Sequence, residues 1–197
     1  MAQDTFLWAK LFFKNRVIEK MRKKFLISVC IFAVFFAIGI TIASQLNLSG
    51  DSVTEIEKTL DRQQNDMLLC LKILGNNLLY CVLSLLGVGL LTAFMLAFQG
   101  FQMGTLLGIW IGCGYTALDY VWLIAPHGVI ELTGWFIFCA IGMDLFIQIR
   151  KYLHGETFQF LNWIIDKKRY IRNATLLIII AAIVEAYITP WIYAAMR

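Results

Sequence analysis

The chain has 197 residues, of which 60% are hydrophobic and only 15% are charged, whereas ordinary soluble domains are about 45–50% apolar and about 25% charged. The mean hydropathy of +0.73 points the same way, and the net charge is only +4. These values exclude a disordered chain, a nucleic-acid-binding module and an ordinary soluble enzyme. They predict an all-α, polytopic membrane helix bundle.

Five apolar runs are long enough to cross a bilayer, which needs about 20 residues per helix. We predict spans at residues 25–46, 73–98, 103–124, 128–149 and 174–193. Together they form one membrane domain over residues 25–197, which follows a basic amphipathic segment at residues 1–24. The short connection Gln99–Gln102 separates the second span from the third, unless one bent helix runs through it.

The basic residues are distributed unevenly along the chain. Thirteen of the 17 Lys and Arg residues lie in the N-terminal segment or between the fourth and fifth spans. Because cytoplasmic loops of membrane proteins are enriched in Lys and Arg, we predict a multi-pass protein of the cytoplasmic membrane. Its N-terminus is expected inside the cell and its C-terminus outside.

Three segments outside the spans are predicted to be helical. Thr5–Lys20 and Thr157–Tyr170 mix large apolar with basic residues, which is typical of helices that lie on a membrane surface. The alternative is that both pack on the cytoplasmic face of a partner. In the acidic segment Asn47–Lys72, Ser52 and Glu55 have the spacing of a capping box, which predicts a short external helix. Its acidic face is expected either to be solvated or to serve as a docking surface.

Four glycines recur at every fourth position near the start of the third span. Small residues at this spacing allow two membrane helices to approach closely. The pattern predicts tight packing within the chain, or else a homo-oligomer seam or a lipid contact. The four glycines are Gly100, Gly104, Gly108 and Gly112.

Polar residues within the spans are the candidates for function. Four acids lie in the predicted spans without a Lys or Arg beside them in those spans, and an isolated carboxylate in hydrocarbon is costly. We therefore predict an intramembrane polar cluster, which is either a hydrogen-bonded lock or a site for a proton, a divalent cation or a partner. Its members are Asn77, His127, Glu131, Glu185 and Thr189.

No enzyme motif is recognisable in the chain. It contains neither H-E-x-x-H nor G-x-S-x-G, and no glycine-rich phosphate loop. The five cysteines form no CxxC pair and are expected to be apolar packing residues. We expect a non-enzymatic protein without a cofactor, whose partners are membrane lipids and proteins and not nucleic acid.

Two segments resemble motifs of the stage II sporulation protein M family. One is Pro126–Leu132, which reads PHGVIEL and is followed by the Ala-Ile-Gly of residues 140–142. The other is Ala181–Pro190, which reads AAIVEAYITP, and Asn76–Leu78 is similar to a weaker family feature. The chain departs from the family pattern after Leu132, where Thr133 and Gly134 stand in place of a proline and a small residue.

The resemblance implies a five-span membrane domain and two functional hypotheses. The first is a scaffold that positions cell-wall hydrolases, an amidase and a glycan-cleaving enzyme, during engulfment of the forespore in sporulation. Relatives also belong to gene clusters for bacteriocin production and immunity. The second hypothesis is therefore a transporter-like or bacteriocin-immunity component that binds an ion, a lipid or a peptide at the polar cluster.

Overall fold

The computed structural model describes residues 2–45, 67–87 and 89–195, with the backbone only for residues 2–18 and 193. The described residues form six helices: α1 (Ala2–Ala43), α2 (Met67–Leu86), α3 (Leu90–Gly112), α4 (Ala117–Leu153), α5 (Phe160–Tyr187) and α6 (Thr189–Ala195). The predicted external helix near Ser52 and Glu55 lies outside the described residues.

Within the described ranges, five stretches of helix are long and apolar enough to cross a membrane. They are Glu19–Ala43, Met67–Leu86, Leu90–Gly112, Ala117–Leu153 and Phe160–Ile192. The chain is therefore a multi-pass membrane protein, and the predicted all-α fold class is confirmed. The inside location of the N-terminus stays a prediction. The two predicted surface segments are not separate helices, because one is continuous with α1 and most of the other with α5.

The turn between α2 and α3 lies twelve residues before the connection predicted at Gln99–Gln102, which is instead inside α3. The chain reverses at Gly87–Gly89, where Gly89 has φ of 76°. Only glycine adopts this backbone conformation without steric cost. The apolar run of residues 73–98 conceals this turn, because the two glycines interrupt neither its length nor its hydropathy.

The next helix also begins earlier than the sequence predicts. α4 starts at Ala117 and continues through Pro126, although we expected a boundary between two helices there. A proline is tolerated inside a membrane helix because neighbouring groups satisfy the backbone carbonyl that it leaves unpaired. Asp119, one of the four acids in the predicted spans, lies in the first turn of α4. It accepts hydrogen bonds from the backbone N–H (2.9 Å) and hydroxyl (2.7 Å) of Thr116, and so completes a capping box at the exposed start of α4.

The glycine stripe holds α3 against α1. A Cβ on Gly100 or Gly104 would overlap the carbonyl oxygen of Phe32 or Phe36, and one on Gly108 would lie 2.5 Å from the Cβ of Ala43. Gly112, the fourth member, is exposed. Three of the four glycines therefore serve close packing within the chain.

The helix α4 lies at the centre of the bundle and contacts all the other helices that span the membrane. Its Phe136 and Cys139 share the main apolar core with Phe32, Leu96 and Ile178 from α1, α3 and α5. A polar contact fixes α2 against α4, since the indole of Trp135 donates a hydrogen bond to the Ser84 hydroxyl at 3.0 Å. This packing leaves one face of α4 directed at a cavity.

Candidate functional site: a polar cavity between four helices

A cavity of about 260 Å³ lies between α2, α3, α4 and α5. Its position is close to the middle of the helices, since Asn77 is the eleventh of the 20 residues of α2 and lies about 15 Å along it at 1.5 Å per residue. The wall is Asn76, Asn77, Tyr80, Cys81, Gln99, Gln102, Glu131, Leu132, Trp135 and Ile178.

Helical spacing places the polar side chains on the cavity wall. Asn76 and Tyr80 are four residues apart on α2, and Gln99 and Gln102 are three apart on α3, so each pair lies on one helix face. Asn76 and Gln102 are exposed, whereas Gln99 is half-buried. Among the described residues, the cavity therefore opens sideways between α2 and α3.

One hydrogen-bond donor in the cavity wall has no partner. The amide nitrogen of Asn77 is buried and makes no hydrogen bond within the described part of the chain. A buried unpaired polar group costs about 1–3 kcal/mol. Four carboxamides, one phenol and one carboxylate therefore surround a space in which a polar occupant would replace missing hydrogen bonds.

Polar residues of α4 also meet residues at the end of α5 and the start of α6. The Thr189 hydroxyl of α6 lies 3.0 Å from Nδ1 of His127, and both residues are buried. Glu131 comes four residues after His127 on α4, and Glu185 comes four residues before Thr189 on α5; both glutamates are half-buried. Glu185 lies within electrostatic range of Glu131, so the two carboxylates repel each other when both are ionised.

The structure divides the predicted polar cluster between two adjacent places. Asn77 and Glu131 line the cavity, and His127 and Thr189 form a separate bonded pair between α4 and the start of α6. Glu185 comes four residues before Thr189 in the chain and lies within electrostatic range of Glu131. No group of three or more His, Cys, Asp or Glu residues in the described ranges is arranged to hold a metal ion.

Asp144 is paired with basic residues from outside the predicted spans. It forms ion pairs with Lys24 of α1 and, at 3.2 Å, with Lys167 of α5, and it accepts a 2.7 Å hydrogen bond from the Trp163 indole. All three charged side chains are at most 12% exposed. The sequence expectation missed these partners because it placed both lysines outside the spans, Lys24 in the N-terminal segment and Lys167 in a segment on the membrane surface.

Sequence reasoning also missed most of the cavity wall. It did not select Asn76, Tyr80, Gln99 or Gln102, and it interpreted the two glutamines as the ends of a connection. Their spacing of three residues, beside a glycine stripe with helical spacing, was the available signal that α3 continues through them. The two carboxamides of α3, Gln99 and Gln102, thereby change from residues of a predicted connection into residues inside a membrane helix.

The sequence model of the family described as Stage II sporulation protein M matches residues 28–190. An uncharacterized protein of Methanocaldococcus jannaschii is 35% identical over 124 residues, which are 60% of this chain and 69% of the relative. No solved structure matches the chain. Neither matching description names a catalytic activity.

Proposed function

The chain belongs to the stage II sporulation protein M family, and from this premise we propose that it is a non-enzymatic scaffold that recruits partner proteins within the cytoplasmic membrane. Cell-wall hydrolases are the partner class that the family resemblance implies. The observation that carries the proposal is the sideways opening of the polar cavity. Recruitment through it needs no catalytic group.

The exposed carboxamides explain why a partner would bind there. Asn76 and Gln102 stand at the rim of a cavity located about half-way along α2, where lipid tails offer them no hydrogen bonds. Hydrogen bonds between polar side chains of neighbouring membrane helices stabilise association by about 0.6–2 kcal/mol each. A partner helix that presents a polar side chain would therefore be held by several such bonds.

Photo-crosslinking within the membrane tests this proposal. A photoreactive amino acid replaces Gln102 at the rim, and the matched control replaces Ile180, an exposed apolar residue of α5. We expect a protein adduct at the first position and none at the second. Adding Gln99→Leu, which removes a polar group from the wall, should strongly reduce the adduct.

Three outcomes would contradict recruitment at the cavity. Adducts of equal yield at both positions would indicate random collision in the membrane. An adduct insensitive to Gln99→Leu would place the contact elsewhere on the helices. A crosslink within one chain would show that another segment of this protein covers the rim. A crosslink between differently tagged copies would identify a homo-oligomer as the partner.

The two neighbouring carboxylates, Glu131 and Glu185, favour a second candidate function. The proximity of Glu131 to Glu185, together with the unpaired amide of Asn77, suits a transporter-like or immunity component that binds an ion, a lipid or a peptide. Native mass spectrometry of the purified chain distinguishes this candidate. A bound small molecule, detected as a mass above that of the polypeptide and lost in Glu131→Gln, would favour this function. A measured mass equal to that of the polypeptide alone would count against it.

A further inference from the structure

We infer that the cavity receives the basic side chain of a partner's transmembrane helix, with Glu131 as its counter-charge. This inference rests on the proposed recruitment function and names the chemical group that is recruited. The charge of the wall is its first support. Glu131 is the one charged residue lining the cavity in the described ranges, and Glu185 of α5, which lies within electrostatic range of it, is also acidic.

The basic residues of this chain do not occupy the cavity where the structure is described. Lys24 and Lys167 are engaged with Asp144, and the nearest basic residue along α2 is Lys72, which is exposed and four residues before Asn76. The wall therefore lacks a cation of its own. A carboxylate in this position is stabilised when an ammonium or guanidinium group approaches from outside.

The remaining wall groups suit a cation with several N–H donors. An ammonium group carries three donors and needs three acceptors, and Asn76, Gln99 and Gln102, each with a carboxamide oxygen that can accept, line the same cavity as Glu131. The buried amide nitrogen of Asn77 is unpaired, and a half-turn about the terminal bond of this side chain would put its oxygen, an acceptor, at that place. Together with the Glu131 carboxylate, these neutral acceptors would satisfy all the N–H donors of a basic side chain.

The depth of the cavity selects a side chain over a lipid headgroup. The wall residue Asn77 is about 15 Å along α2 from its start, which is about half of the 30 Å thickness of the hydrocarbon core. Lipid amines lie at the interface, whereas a residue in the middle of a partner's helix reaches this depth directly. A basic residue there is costly in lipid alone, so pairing with Glu131 favours association.

The test uses the full chain in phosphatidylcholine vesicles and synthetic Leu-Ala transmembrane peptides. The peptides differ only at the central residue, which is Lys, Gln, Asp or Leu, and association is measured by energy transfer between dyes. We expect the Lys peptide to bind at least about tenfold more tightly than the Leu peptide. The Gln peptide should lie between them, and the Asp peptide should bind no better than the Leu peptide.

Two variants assign the effect to the cavity carboxylate. Glu131→Gln should remove the advantage of the Lys peptide over the Gln peptide, whereas Glu156→Gln, which neutralises an exposed acid, should preserve it. Equal binding of the Lys and Gln peptides to the unmodified chain would overturn the inference without any variant. Loss of the Lys preference in vesicles rich in phosphatidylethanolamine would overturn it as well, because a lipid amine would then be the occupant.

Failure of this inference is distinguishable from failure of recruitment. A crosslink at the Gln102 position without any preference for the Lys peptide would refute only the basic side chain. Absence of both the crosslink and peptide binding would refute recruitment at the cavity itself.

Discussion

Neutralising Asp144 should destabilise the bundle more than any other removal of a single charge from a described residue. In Asp144→Asn the side chain keeps its shape and an oxygen for the Trp163 indole, but it loses the charge that Lys24 and Lys167 share. Both lysine side chains are at most 12% exposed. Two buried cations would then remain without a counter-charge.

The expected cost follows from the geometry of the network. Breaking a buried ion pair by removing one partner costs about 3–5 kcal/mol, which at 1.36 kcal/mol per tenfold change raises the equilibrium constant for unfolding by roughly 10²–10⁴-fold. The matched control is Glu156→Gln, whose pair with Lys151 is at least half exposed. That surface pair contributes about 0–1 kcal/mol.

The free energy of unfolding is measured by denaturant titration in mixed micelles, with the helix signal as readout. A cost for Asp144→Asn no larger than that of the control would refute the reasoning, since it would mean that the lysines reach water along their flexible stems. Replacing all three charged residues by apolar residues of similar volume should recover most of the lost stability. Without that recovery, the loss would have to come from packing and not from unpaired charge.

Three further predictions concern helix packing and orientation. Gly104→Leu should lower the free energy of unfolding by at least about 1–3 kcal/mol, because its side chain would overlap the α1 backbone, whereas Gly75→Leu, with no atom within 4 Å of its added Cβ, should not. Thr189→Val should cost about 1–3 kcal/mol by leaving a buried histidine unpaired. Thr133→Val, whose hydroxyl bonds only its own helix at 2.7 Å, should change stability by less than about 0.5 kcal/mol; equal losses in the two threonine variants would contradict this difference. A cysteine introduced at Gly155 should resist a membrane-impermeant thiol reagent added outside intact cells, and rapid labelling would reverse the predicted orientation.

The number of spans was predictable because hydropathy over about 20 residues is a strong signal. The helix ends were not, because glycine counts as nearly neutral in hydropathy while its backbone freedom decides where the chain turns. Gly87 and Gly89 disappear within an apolar run for this reason. Conversely, Pro126 suggests a boundary that the surrounding helices make unnecessary.

The candidate site was predictable only where spacing along one helix carries the information. The four-residue steps from His127 to Glu131 and from Glu185 to Thr189 can be read from the sequence, but their facing register depends on how α4 and α5 pack. Gln99 was missed because the turn between the second and third spans was predicted at Gln99–Gln102, whereas the chain turns at Gly87–Gly89. The two lysines that pair with Asp144 lie on α1 and α5, which are more than 100 residues apart in sequence. Local sequence patterns do not show that such distant helices meet at one carboxylate.

The close contact of α1 with α3 has a consequence for the order of events during synthesis. Phe36 and Gly104, which meet across this contact, are separated by about 70 residues, and a ribosome adds about 5–20 residues per second. α1 is therefore made roughly 3–14 s before the glycines that receive it. During this interval Gly39, which later lies against the α3 backbone, must face lipid or the insertion machinery, so the nascent bundle passes through a stage in which its tightest helix pair is incomplete.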